Sequence, residues 1–167
     1  MSETNDIEKV VANALAAADV QYELMPCDPD LADTALFCER YGIPPAQSAN
    51  AIIVASKKEP KQYSANLVLS TTRLDVNRRV RELMGTKRLS FASAEETVEL
   101  TGMMVGGVTP FGLNETIPVF VDSNVMDCEW IVIGGGSRSS KIKLSPGELK
   151  KLSTVKVVEG LAKKDGE

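Results

Sequence analysis

Ala51-Ile52-Ile53-Val54-Ala55, the polar turn Lys57-Lys58-Glu59-Pro60-Lys61 and the run from Tyr63 to Leu69 form the stretch on which the fold turns. Two short apolar runs flank a charged, proline-containing breaker, which is the pattern of a buried strand returning as a hairpin. A hairpin makes these two strands antiparallel, so the chain departs early from the strand–helix–strand repeat of a doubly wound sheet. Upstream, Asn5-Asp6-Ile7-Glu8 reads as a helix N-cap with Glu at N3. Ile7, Val10, Val11, Ala14, Leu15 and Ala18 then recur at helical spacing. Tyr22 to Met25 reads as a short strand, and residues 31–41 as a helix stopped at Gly42 before Pro44 and Pro45.

Downstream of the hairpin, Asp75 to Met84 reads as a helix ended by Gly85, then a strand at Arg88 to Phe91. Ser93-x-x-Glu96 is a capping box for a helix that Gly102 ends. Strands are expected around Val105, at Ile117 to Val121, Glu129 to Ile133 and Ser140 to Leu144. Ser145-Pro146-Gly147-Glu148 opens a last helix with Pro at N1, before a strand at Val155 to Val158 and a polar tail from about residue 160. Helices and strands are interspersed without regular alternation. The expectation is α+β: one domain over residues 1–167, with a mixed, curved, barrel-like sheet flanked by helices.

The 167 residues suit one domain, and 43% apolar with 25% charged residues allows a real core. No run approaches the ~20 apolar residues that span a bilayer, and the acidic N-terminus is unlike a signal peptide. A cytoplasmic protein is expected. There is no histidine, which excludes Ser-His-Asp and Cys-His relays and every His-ligated metal site. Cys27, Cys38 and Cys128 show no C-x-x-C spacing and suit a reducing compartment as ordinary thiols.

Charge is uneven. Residues 57–88 carry nine Lys/Arg against three Asp/Glu, whereas residues 89–136 carry seven acids and no cation. Residues 1–56 hold two cations and nine acids, and residues 137–167 hold eight cations and four acids. The two basic segments fit either one local phosphate-binding surface or the solvated face of a helix bearing Arg78, Arg79 and Arg81.

Two glycine-rich stretches invite a chemical reading. Gly134-Gly135-Gly136-Ser137-Arg138-Ser139-Ser140-Lys141 fails the phosphate-loop template, because Ile142 follows Lys141. It fits better as a connection between strands where the backbone approaches a ligand closely. Gly106-Gly107-Val108-Thr109-Pro110-Phe111-Gly112 is more informative. Consecutive glycines before a fixed-φ proline are able to aim main-chain N–H groups at one spot, where they would stabilise the oxyanion of ester hydrolysis. Locally, an ordinary turn between strands is the other reading.

Taken in order, several elements resemble the YbaK/prolyl-tRNA-synthetase-associated family of aminoacyl-tRNA editing domains. They are Tyr41-Gly42-Ile43-Pro44-Pro45, Leu74-Asp75-Val76-Asn77, Gly85-Thr86-Lys87-Arg88 and Leu100-Thr101-Gly102 before Gly106-Gly107-Val108-Thr109-Pro110. Ile117-Pro118-Val119-Phe120-Val121-Asp122, the glycine-rich entry with Arg138 and Leu144-Ser145-Pro146 complete the series, which covers about residues 10–160. The resemblance implies a trans-acting deacylase that hydrolyses the ester of a mischarged tRNA, without cofactor or metal. The family's G-x-x-x-P element falls on Gly106 and Pro110, and attacking water is helped by the substrate's own ribose hydroxyl. Gly106, Gly107, Val108 and Thr109, held by Pro110, would polarise the carbonyl, and Asn50 would orient the substrate. Arg138 and Lys141 would contact the terminal ribose-phosphate, and Gly135 and Gly136 would also bind substrate. The implied partners are the 3′ acceptor end of aminoacyl-tRNA and an aminoacyl-tRNA synthetase, with no DNA and no membrane.

Two positions depart from the family pattern. Asn50 stands where a lysine is usual, and Lys141 stands where an acid is frequent. If the two face one pocket, Lys141 supplies part of the missing charge. Asn50 also motivates a second function class, a non-catalytic module that binds tRNA or an aminoacyl ligand and keeps only the editing fold.

Overall fold

The computed structural model describes residues 3–164. Helix α1 (Glu3–Ala17) lays Ile7, Val11 and Leu15 into the main core at four-residue spacing, while Val10 stays exposed. It begins at Glu3, so Asn5 is not its N-cap. Strand β1 (Glu23–Pro26) follows, then a 3-10 turn at Pro29–Leu31 and α2 (Thr34–Tyr41), which Gly42 ends in the left-handed conformation.

The hairpin is longer than expected at its first strand: β2 is Ala49–Ser56 and β3 is Tyr63–Leu69, in register from Ala49↔Leu69 to Ala55↔Tyr63. Next come β4 (Thr72–Leu74), a π-helical turn (Val76–Val80) running into α3 (Arg81–Met84), and β5 (Leu89–Phe91). Helix α4 (Ala94–Thr101) has the expected cap, with Ser93 Oγ accepting from the Glu96 N–H at 3.0 Å. The remaining elements are β6 (Val119–Asp122), α5 (Ser123–Met126), β7 (Ile131–Gly134), β8 (Ser140–Leu144), a 3-10 helix (Pro146–Lys151), β9 (Val155–Val158) and β10 (Ala162–Lys164).

The strands form three sheets. A five-stranded mixed sheet runs β5-β2-β3-β6-β9, antiparallel around β2 and parallel from β3 to β9. A three-stranded antiparallel sheet runs β1-β8-β7, joined to the first by a bridge between Ser48 and Val132, and β4 pairs with β10. The α+β architecture with a mixed sheet is as expected; the barrel-like closure is not. The large sheet ends at β5 on one side and β9 on the other, so nothing closes it.

Three further expectations need correction. The stretch around Val105 is a loop, because its carbonyls are taken by side chains from elsewhere rather than by a ladder. The segment after residue 160 is no tail: Leu161 is fully buried and Ala162–Lys164 pairs with Thr72–Leu74. Residues 165–167 lie outside the described residues. The helix expected after Ser145 is a 3-10 helix. The main core lies between the large sheet, α1 and the β7–β8 pair, with Phe111, Met103, Leu67 and Ile133 at its centre.

Candidate active site

The three-stranded sheet is placed so that the glycine-rich end of β7 lies against the bend that follows α4. The contact is too close for side chains. A Cβ on Gly134 would strike the Val108 carbonyl oxygen and lie 2.6 Å from the Gly107 carbonyl carbon. A Cβ on Gly107 would strike the Ser137 carbonyl oxygen and lie 2.7 Å from its carbon. The Gly136 N–H donates to the Gly107 carbonyl at 2.6 Å, and the Met104 N–H to the Gly136 carbonyl at 3.2 Å. Bend and strand exit are thus cross-braced through main chain.

Two cations from the 138–141 segment complete the brace. Arg138 donates from Nη1 to the Val105 carbonyl at 2.8 Å and to Asp33 at 3.2 Å, and from Nε to the Pro29 carbonyl at 3.0 Å. Lys141 is only 6% exposed; its Nζ donates to the Ala32 carbonyl at 2.8 Å and to the Gly106 carbonyl. Its ammonium lies 5.3 Å from the Phe37 ring centroid, where the ring face favours a cation. Burial holds the Lys141 amine below its ordinary range, against the opposing pull of the Cys27 thiol. Gly106 itself is held at φ 88°, a left-handed conformation that suits glycine.

Beside this brace is a cavity of about 320 Å³, whose wall includes Asn50, Gly106, Val108, Lys141, Phe37 and Phe91. Asn50 enters from the start of β2, and its Oδ1 accepts from Thr34 Oγ1 at 2.6 Å, which leaves its amide NH₂ as the donor end. Among the described residues, the Gly106 and Val108 N–H groups have no hydrogen-bond acceptor. The Gly107 N–H is taken by the Met104 carbonyl at 2.8 Å, and the Thr109 N–H faces Met103 Sδ at 3.4 Å. The residues lining the cavity therefore include two with unpaired main-chain N–H groups, one side-chain amide and one buried ammonium.

The sequence profile of the aminoacyl-tRNA editing domain matches residues 28–152. The chain belongs to this family. Among curated proteins, the editing domain is 37% identical over 81 residues to an uncharacterized protein, YwhH, of Bacillus subtilis, a match spanning about half of each chain (48% and 51%). Among solved structures it is similar to the hypothetical protein APE2540, with a TM-score of 0.81 and 26% identity over 92% of this chain and 99% of that one. It shares its fold with a protein described as a "putative trans-editing enzyme for prolyl tRNA synthetase", with a TM-score of 0.79 and 23% identity over 94% and 96% of the two chains.

The residues singled out from the editing domain's sequence separate into two groups. Asn50, Gly106, Val108 and Lys141 share the cavity, from three distant parts of the chain. Gly107, Thr109, Pro110, Gly135, Gly136 and Arg138 do not line it. Gly107 and Gly136 serve the close approach, Thr109 is fully buried, and Gly135 packs its Cα against Ser140. Arg138 already has three partners, all within the protein, and acts as a clamp. Phe37, Phe91 and Thr34 were not singled out; the exposed aromatic in the three-residue strand β5 was the one available signal. Among the described residues no group of His, Cys, Asp and Glu is placed to hold a metal ion, and no helix is long and apolar enough to cross a membrane.

Proposed function

We propose that this editing domain is a trans-acting aminoacyl-tRNA deacylase, hydrolysing the ester that joins a wrong amino acid to the 3′ end of tRNA. The observation that carries the proposal is the convergence of the unpaired Gly106 and Val108 amides with Asn50 and Lys141 on one cavity. The ester carbonyl sits against the two amides. Water adds to its carbon, the oxygen takes up negative charge, and the amides stabilise it; each such donor is typically worth about 10²–10³ in rate. The tetrahedral adduct then expels the ribose oxygen, which takes a proton, leaving free amino acid and uncharged tRNA. The neighbouring ribose hydroxyl orients the attacking water, so the chain need not supply a base.

Lys141 fixes the Gly106 carbonyl, which keeps the adjoining amides aimed, and places a positive charge at the cavity wall near the developing oxyanion. Asn50 donates from its amide NH₂ to the substrate end. Volume at the cavity decides which amino acid enters, since one methylene discriminates by about 1–3 kcal/mol.

The test is release of amino acid from a panel of mischarged tRNAs. Accelerated release from at least one member is expected; no acceleration from any of them at high enzyme concentration overturns the proposal. Asn50, uncharged and already bonded to Thr34, favours the second reading of a non-catalytic binder. Tight binding of charged tRNA without turnover would establish that reading instead.

A further inference from the structure

Beyond the cavity, the basic excess of residues 57–88 has a definite shape. Phe91, 58% exposed, stands at the cavity wall and also lines a second hollow with Leu74, Asn77, Ser90, Arg73 and Lys163. That hollow shares Val76, Asn77 and Leu89 with a third, which Lys57, Arg81, Lys87 and Arg88 line. The three hollows follow one another along β5, linked by these shared lining residues, and Arg88 to Phe91 covers about 10 Å of extended chain. Buried Asp75 is the one acid among the residues lining the second and third hollows. Among the described residues, Lys57, Arg81, Lys87 and Arg88 are exposed and have no carboxylate within ion-pairing distance.

A second observation points the same way. Arg73 and Lys163 stand directly opposite one another in the β4–β10 ladder, and both line the second hollow. Asp75 reaches Lys163 at 3.8 Å, and the same carboxylate also faces Arg78 at 3.5 Å, so one acid is shared among cations.

We propose that this groove seats the single-stranded 3′ end of the RNA, with backbone phosphates along Lys57, Arg81, Lys87, Arg88 and the Arg73–Lys163 pair and a base stacked on Phe91. The inference rests on the reading that the cavity takes the aminoacyl ester, because the groove then leads the strand to it. Stacking suits an unpaired base, which exposes its face, and cations suit a backbone read without regard to sequence.

The experiment measures binding of uncharged tRNA against salt concentration, for the wild type, for Arg81→Gln with Arg88→Gln, and for Phe91→Ala. The paired substitution is expected to weaken binding about tenfold at low salt and to reduce the slope of log K against log salt by about 1.4, the single-strand value for two phosphate contacts. Phe91→Ala is expected to weaken binding with the slope kept. A blunt-ended RNA duplex is expected to bind weakly and to ignore Phe91→Ala. The variants replace exposed side chains, and an unchanged melting curve confirms that each is folded. Unchanged tRNA binding in both variants overturns the inference and assigns the cations to another partner, such as an acidic protein surface. Equal loss for duplex and tRNA, with no effect of Phe91→Ala, overturns it in favour of stem binding. Failure of deacylation is distinguishable: a chain that hydrolyses nothing but still loses tRNA through these substitutions keeps the groove and loses the enzyme.

Discussion

The two glycine-rich stretches look alike as text and do different work. Gly106–Pro110 places Gly106 and Val108 at the cavity, where the proposed mechanism uses their amides, whereas Gly134–Gly136 leaves the room for that bend to approach. In the first, what matters is which amides stay unpaired, and Gly107 shows the limit: it is conformationally suited but its N–H is already used. In the second, the missing side chains are themselves the function, because any Cβ at Gly134 meets the bend's backbone. A run of glycines therefore tells where backbone comes close, and only the partner atoms tell why.

The largest effect that would break this comparison lies at Gly134. Gly134→Ala is expected to cost about 1–3 kcal/mol of stability by overpacking and to abolish deacylation, since the atoms it meets are backbone and cannot rotate away. Thermal melting and the mischarged-tRNA assay check both. A variant as stable and active as the wild type would mean the close approach carries no weight.

Lys141→Met tests the bend from its other side. It removes the donor from the Gly106 and Ala32 carbonyls, and deacylation is expected to fall on the order of 10²-fold, as when an oxyanion donor is lost. The pH profile gives a separate readout. Because burial lowers the Lys141 pKa in the folded chain, the unfolded chain binds more protons between the folded value and the ordinary lysine range. Stability owed to this group therefore rises with pH across that window, and the wild-type minus variant difference in stability should show that rise. A difference that stays flat through the alkaline range would contradict it.

The smallest effect sharpens the contrast. Gly147, in the first turn of the last 3-10 helix, has nothing within 4 Å of an added Cβ. Gly147→Ala is expected to change stability by no more than about 0.5 kcal/mol and activity not at all. Guanidinium melts of the two alanine variants side by side would show whether glycine in general, or contact in particular, sets the cost.

Much of the fold was legible because its signals are local. Tyr63–Leu69 and Val155–Val158 are largely apolar runs and Ser140–Leu144 alternates lysine with Ile and Leu, each between breakers, and their limits agree with the strands observed. Gly42, Gly85 and Gly102 end their helices as expected. What was not legible depends on distant partners. Thr72–Leu74 and Ala162–Lys164 are short and polar, and become strands only by pairing with each other. The loop at Val105 looked like a strand because Val105 and Val108 are β-branched, yet its carbonyls bond to Arg138 and Lys141. For the site, the Gly106–Pro110 element was readable from spacing, but the meeting of Asn50 with Lys141 was not, since 90 residues and two sheets separate them.

The clamp built by Arg138 and Lys141 is fastened from one side only. Four of the acceptors it grips, at Pro29, Ala32, Val105 and Gly106, are peptide oxygens, which every amino acid supplies. Replacing the exposed side chains at Pro29 and Val105 leaves those oxygens in place, so the hydrogen bonding itself is sensitive chiefly at the two donors. A mutational scan would register the architecture of this corner at positions 138 and 141, and at Gly106 and buried Ala32 for their own backbone and packing, while passing over exposed Pro29 and Val105.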